Sequence, residues 1–168
     1  MVTDAEGWSP LPATRTRTEI PGARGRNWGL RVTFRNQPVG EHMPEIALRR
    51  KNGSLTAQLY REGTIFVVLQ STYMSPDGEP QYQELARQRL TNSVPAGTPF
   101  TIEFIAVGTH LTARCNGSTV RCEATPEGSR SGDVAIRGPS YDAFRDVEIL
   151  NLEGLGEVEA MKIAGMNW

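Results

Sequence analysis

An all-β, two-sheet antiparallel sandwich of the jelly-roll kind is the fold the sequence predicts, on three observations. Apolar residues recur with a period of two in run after run, Asn-Gly pairs twice separate adjacent runs, and almost nowhere does the spacing suit a helix. The 168 residues are enough for one hydrophobic core, which at this length takes roughly 70% of the unfolded surface out of water. With 38% apolar and 22% charged residues the chain is polar for a globular protein but far from a disordered composition.

The first clear strand runs from Trp28 to Arg35, with Trp28, Leu30, Val32 and Phe34 on one face and Gly29, Arg31, Thr33 and Arg35 on the other. A second, Glu45 to Lys51, meets Asn52-Gly53, a pair suited to both left-handed positions of a type I′ turn, and a third follows from Ser54 to Arg61. A two-residue loop there sets Leu48 opposite Ala57 and Ile46 opposite Leu59. Glu62-Gly63 turns the chain into Thr64 to Thr72, whose centre from Ile65 to Leu69 is apolar on both faces and so is expected to be covered on both. The stretch from Ser71 to Pro80, with Pro76-Asp77-Gly78, reads as the longest loop.

Strands then follow at Gln81 to Leu90, Phe100 to Val107, His110 to Cys115 and Ser118 to Ala124, the last two joined by Asn116-Gly117. Asp133 to Arg137 and Ala143 to Asn151 close a series of about ten to twelve strands at the regular spacing of a sandwich. Only Gly156 to Met166 suits a short helix, through Val158, Met161 and Ile163. The expected organisation is a flexible segment 1–13, a sandwich 14–152 and a tail 153–168. Its abrupt ends would suit a module from a longer protein.

The net charge is only −1, which leaves no long-range field to gather nucleic acid. Charge is nonetheless uneven: Arg15, Arg17, Arg24, Arg26, Arg31 and Arg35 crowd one end, while Asp146, Glu148, Glu153, Glu157 and Glu159 crowd the other. Neighbouring strands from the two ends would neutralise each other. No run approaches the ~18 apolar residues of a membrane span, and residues 1–12 lack the basic start and apolar stretch of a secretory leader. A soluble chain without a membrane span is expected.

The order of motifs Asn27-Trp28-Gly29-Leu30-Arg31-Val32-Thr33-Phe34-Arg35, Ile46-Ala47-Leu48-Arg49-Arg50, Leu111-Thr112-Ala113-Arg114-Cys115-Asn116-Gly117 and Ala143-Phe144-Arg145-Asp146-Val147-Glu148-Ile149 resembles the bacterial concanavalin A-like superfamily. That superfamily includes laminin G-like modules and a 3-keto-disaccharide hydrolase-like family, and the resemblance covers residues 14–152 by strand pattern. It implies a jelly roll whose curved face binds carbohydrate, appended to other domains such as bacterial serine/threonine kinases. It supplies no catalytic residues, and the apolar strand ending in an Asn-Gly-Lys-Asp type turn, usual in the hydrolase-like members, is missing.

Glycoside hydrolysis needs two carboxyls about 5 to 9.5 Å apart. The weak catalytic candidates are Asp146 and Glu148, two apart on the last strand and so ~7 Å apart on one face, with a solvated or arginine-paired strand face as the alternative. His42 and His110 stand in unrelated segments with no ligand-spaced neighbours, so no zinc and no cofactor is expected. Calcium through Asp77 and Glu79 is a weak option beside the simpler reading of Pro76-Asp77-Gly78 as a turn.

Cys115 and Cys122, in the Asn-Gly register, face Ser118 and Leu111, which separates the sulfurs by ~13 Å along the strands, beyond the ~7 Å limit for a bridge. Two free thiols packed as small apolar groups are expected.

The candidate binding surface is the outward face of the central hairpins, where Arg49, Thr56, Gln58, Tyr60, Ile65, Val67 and Leu69 would lie together. Arg49, Gln58 and Tyr60 offer a guanidinium fork, an amide and an aromatic ring, the groups that bind sugars. A covered face is the competing reading, in which case the loops around Tyr73, Asp77 and Tyr82 come next. Two functions stay open: a non-catalytic module for a carbohydrate or protein surface, and a glycoside hydrolase-like enzyme.

Overall fold

The computed structural model describes residues 9–10, 19–34, 45–51, 53–62, 64–92, 99–124, 132–137 and 144–166. Twelve strands and one helix lie in these segments: β1 Ser9–Pro10, β2 Glu19–Gly25, β3 Trp28–Phe34, β4 Glu45–Arg50, β5 Gly53–Glu62, β6 Thr64–Met74, β7 Pro80–Arg89, β8 Phe100–Val107, β9 His110–Cys115, β10 Ser118–Glu123, β11 Gly132–Arg137, β12 Phe144–Asn151 and α1 Glu157–Ile163. They form two antiparallel six-stranded sheets, here sheet A (β1-β12-β3-β8-β9-β10) and sheet B (β2-β11-β4-β5-β6-β7). The predicted all-β sandwich is the observed architecture.

Alternation builds the core. Leu30, Val32 and Phe34 from β3, Ile102 and Phe104 from β8, and Ile46, Leu48, Leu55, Ala57, Leu59, Val67 and Leu69 from sheet B are all at most 1% exposed and pack between the sheets. Burying each large aliphatic chain is worth about 1.5–3 kcal/mol. Phe34 and Phe100, directly paired across β3 and β8, stack with ring centroids 5.5 Å apart.

A second, smaller cluster lies on the far face of sheet A. There Ile105, Val107, Leu150 and Leu152 receive Ala160, Ala164 and Met166 from α1 and the turn after it. The helix thus seals a patch of sheet that alternation alone would leave in water.

Sequence and structure part company at four places. Both β1 and β2 are strands that the residues do not advertise, since Pro10, Pro21 and Gly22 are poor strand formers; each sits at a sheet edge, where such residues are tolerated. Ser9 and Pro10, inside the segment expected to be flexible, pair with Ile149 and Glu148.

The β4–β5 register is displaced by two residues from the expected one, pairing Ile46 with Ala57 and Leu48 with Leu55. The displacement is even, so the same side chains stay inward. Its cause is Arg49, whose φ of 56° turns the strand before the hairpin tip. Asn52, half of the expected turn, lies outside the described residues.

The third departure inverts a face. Glu62 pairs with Thr64, so Leu59 lies opposite Val67 and Ala57 opposite Leu69, and both Val67 and Leu69 point into the core rather than outward. Ile65 is likewise packed against the core. One residue of slip exchanges the faces of a strand, and a strand apolar on both sides gives the pattern nothing with which to resist it.

The last is the β6–β7 loop, which is short: Ser75 to Glu79 alone connect the strands. Gly78 N donates to Ser75 O (2.9 Å) and Ser75 N to Glu79 O (2.9 Å).

Among the described residues β7 is an outer strand of sheet B, and its pairing with β6 shifts by a bulge between Leu69 and Gln70. Along it Glu84 and Arg87 form an ion pair, and the Arg87 guanidinium lies 5.1 Å over the Phe66 ring.

Candidate functional site

The face of sheet B turned away from the core carries a groove of about 570 Å³, within the ~300–1,000 Å³ usual for small-ligand sites. It crosses five strands, from Asp133 on β11 through Glu45 and Arg50 on β4, Ser54, Thr56 and Gln58 on β5, and Gln70, Thr72 and Met74 on β6, to Pro80 and Tyr82 on β7. Four interstrand spacings of ~4.8 Å make that width about 19 Å. Alternation explains the lining: the even residues of β5 and β6 face outward because the odd ones, Leu55, Ala57, Leu59, Val67 and Leu69, fill the core.

The floor is polar and ordered. Gln58 Nε2 donates to Gln70 Oε1 at 2.9 Å, and Thr56, which pairs with Gln70, is 4% exposed. On the outer strand β7 stands Tyr82, 67% exposed, with Met74 at 47%. The opposite end is charged, with Arg50 and Lys51 from the β4–β5 hairpin beside Asp133, which pairs with Arg50 in the β4–β11 ladder.

Of the expected ligand-binding residues, Gln58 lines this groove. Tyr60 occupies the same face of β5 by register, opposite Phe66, but its side chain lies outside the described residues. Arg49 does not take the outward position expected of it. It is 5% exposed, and its guanidinium donates from Nε and Nη2 to Arg26 O (2.9 and 2.7 Å) and from Nη2 to Gly108 O (2.7 Å). Burial, with Arg26 nearby, lowers its pKa to about 10, which leaves it a cation at neutral pH. The left-handed backbone at Arg49 breaks the alternation and turns the side chain inward.

The acids of β12 are placed otherwise than simple alternation predicts. A bulge between Arg145 and Glu148 interrupts the ladder, and Asp146 sits in it with a φ of 49°. Glu148 lies on the outer face of sheet A in an ion pair with Arg31 (3.3 Å), which also holds Glu103 (3.1 Å); Glu103 in turn pairs with Arg114. The four form one row across β12, β3, β8 and β9, each directly opposite the next. The basic and acidic ends of the chain do meet here, and again where Glu153 Oε1 accepts the backbone N–H groups of Arg26 and Asn27.

Asp77 and Glu79 belong to the β6–β7 turn, where Glu79 N donates to Ser75 Oγ (3.2 Å). Among the described residues no three His, Cys, Asp or Glu side chains gather as metal ligands. His42 lies outside the described residues, and His110 Nε2 sits 3.3 Å from a carboxylate oxygen of Glu157 at the start of α1. Cys115 and Cys122 are free thiols, paired across the hairpin with Ser118 and Leu111 as the register requires. Burial pushes their pKa values up, to about 12 and about 11.

Sequence reasoning missed most of the groove, namely Gln70, Thr72, Arg50, Lys51 and Asp133, and reached Tyr82 only as the second choice of site. The signal was available in the alternating Gln70 and Thr72, had the turn after Glu62 been given its true register.

No protein-family model matches the chain, and no curated protein matches it. Solved structures do. A single mutant of congerin II aligns with a TM-score of 0.53 at 12% identity over 84% of this chain and 99% of that one. The carbohydrate-binding module CBM66 from Bacillus subtilis aligns at 0.51 and 9% identity over 86% and 92%. The ancestral congerin Con-anc aligns at 0.50 and 17% over 82% and 97%. The likeness is one of fold: this chain is a jelly-roll sandwich similar in fold to theirs. No helix among the described residues is long and apolar enough to cross a membrane.

Proposed function

We propose that this chain is a non-catalytic binding module whose ligand is a carbohydrate, held in the groove on the outer face of sheet B. The observation that carries the reading is the groove's division of labour: a largely exposed ring, Tyr82, on the outer strand, and a floor of amides and hydroxyls from Gln58, Gln70, Thr56 and Thr72. A pyranose has apolar C–H faces that stack on an aromatic ring and a rim of hydroxyls that both donate and accept, which amides match with one group of each kind. The fold relative named as a carbohydrate-binding module lends support to the same reading. So does the resemblance of strand order to the concanavalin A-like and laminin G-like superfamily, in which such modules are appended to larger bacterial proteins, serine/threonine kinases among them.

The hydrolase alternative draws on Asp146 and Glu148, and the ion pair of Glu148 with Arg31, on the sheet that does not carry the groove, argues against it. A glycan array followed by calorimetry on its hits tests the proposal. Saccharide binding that Tyr82→Ala and Gln58→Ala each weaken is expected; an array without hits, or hits indifferent to both substitutions, would overturn it in favour of a protein ligand or another surface.

A further inference from the structure

The groove owes its charged end to a strained residue that never touches it. β4 pairs with β5 only as far as Leu48 and Leu55. One residue later Arg49 adopts φ 56°, a left-handed conformation unfavourable for a residue with a Cβ. Arg50 then continues the ladder with Asp133 of β11. Around this turn Arg50, Lys51, Gly53, Ser54 and Asp133 line the charged end of the groove.

The guanidinium of Arg49 is what sustains the turn. It clamps Arg26 O, in the link from sheet B to sheet A, and Gly108 O, in the β8–β9 turn of sheet A. Gly108 is fixed independently, its N–H donating to Asn27 Oδ1 at 2.9 Å. β11 closes in from the side: a Cβ on Gly132 would lie 2.5 Å from the Arg49 carbonyl carbon and 2.6 Å from Arg50 N, an approach only glycine permits.

We infer that Arg49 is a positioning residue of the groove: by holding the strained turn against both sheets from behind, it sets the end of β4 beside β11 and presents Arg50 and Lys51 to the ligand. This rests on the groove being the binding site, but its first test needs no ligand. Arg49→Gly keeps the left-handed backbone accessible and removes the clamp. Amide exchange by NMR should then show Lys51, whose N–H donates to Gly53 O at 3.0 Å, losing protection at least tenfold, while Leu30 and Phe104 in the core change less than twofold.

Acylation of the Lys51 amine should shift in rate severalfold, with Lys162 on α1, the only other lysine, as the internal control. Unchanged Lys51 protection and labelling would overturn the inference, and so would an equal loss everywhere, which marks a merely structural arginine. In calorimetry against gluco-, galacto- and xylo-configured tetraoses, any binder should weaken about tenfold in Arg49→Gly and show no further effect of Arg49→Gly in an Arg50→Ala, Lys51→Ala background. If no tetraose binds, the carbohydrate reading is what fails, and the exchange and labelling results still decide the role of Arg49.

Discussion

Arg31 Nη1 lies 3.3 Å from Glu148 Oε2 while the same guanidinium holds Glu103, so one cation bridges two acids from the strands on either side of β3. Glu103 is the more buried of the two, its side chain 14% exposed. Arg31→Ala should therefore destabilise the fold by about 1.5–3 kcal/mol, the range for hydrogen bonds to charged groups. Glu148→Gln, the more open of the two acids, should cost under about 1 kcal/mol. Urea denaturation measures both, and equal losses would show that the row is not ordered as described.

The thiols give a pH dependence with a definite sign. Both have an ordinary value of 9.0 and are raised in the folded protein to about 12 and about 11. Between pH 9 and these values the unfolded chain has lost thiol protons that the folded one keeps, so stability present below pH 9 falls as pH rises through that window. Cys115→Ala should flatten the slope in denaturation curves taken between pH 8 and 11. Ellman's reagent should react with the native protein far more slowly than with the unfolded one, in which two thiols are expected.

Leu48 and Gln58 separate folding from binding. Leu48 is 1% exposed in the core, and Leu48→Ala should cost about 2–5 kcal/mol of stability. Gln58, on the opposite face, should change ligand affinity with less than about 1 kcal/mol of effect on folding. Thermal melts of the two variants check this directly; similar losses would mean that the groove floor is itself a structural layer.

Tyr82→Ala should weaken a stacked saccharide by about 0.5–1.5 kcal/mol, the worth of an aromatic stacking contact. Stability should be nearly unchanged, since the ring is mostly in water. Calorimetry beside a melt decides, and a loss of stability without a loss of affinity would move the ligand elsewhere.

Ala160 is fully buried beneath α1 against the far face of sheet A. Ala160→Asp would place a carboxylate among Ile105, Leu150 and Leu152, and should detach the helix, seen as new amide exchange in 157–166 with the inter-sheet core intact.

What the sequence discloses depends on whether a turn is governed by residues that name it. Asn116 and Gly117 have φ values of 46° and 80°, as a type I′ turn requires, and the β9–β10 register follows from them residue by residue, down to Cys122 opposite Leu111. At β4–β5 the deciding residue is an arginine in a left-handed conformation, which nothing in its side chain announces. At β5–β6 the pattern Ile65-Phe66-Val67-Val68-Leu69 satisfies either face equally, so the residues alone leave the groove floor undetermined by one step of register. Tyr82 and Asp133 enter the site only through strand order, which comes from the packing of the whole sandwich and not from any local signal.

The bulge and ion pair along β7 have a consequence beyond the groove. A ten-residue strand at the margin of a sheet offers its backbone to any passing chain, and stacked copies joined in this way grow into fibrils. Here the register breaks between Leu69 and Gln70, while Glu84, Arg87 and Arg89 line the margin with charge. A second molecule arriving edge to edge would have to match a bulged strand and displace the charged side chains that line it. The margin is thus defended against its own copies, and the same device leaves Tyr82 standing in open water beside it.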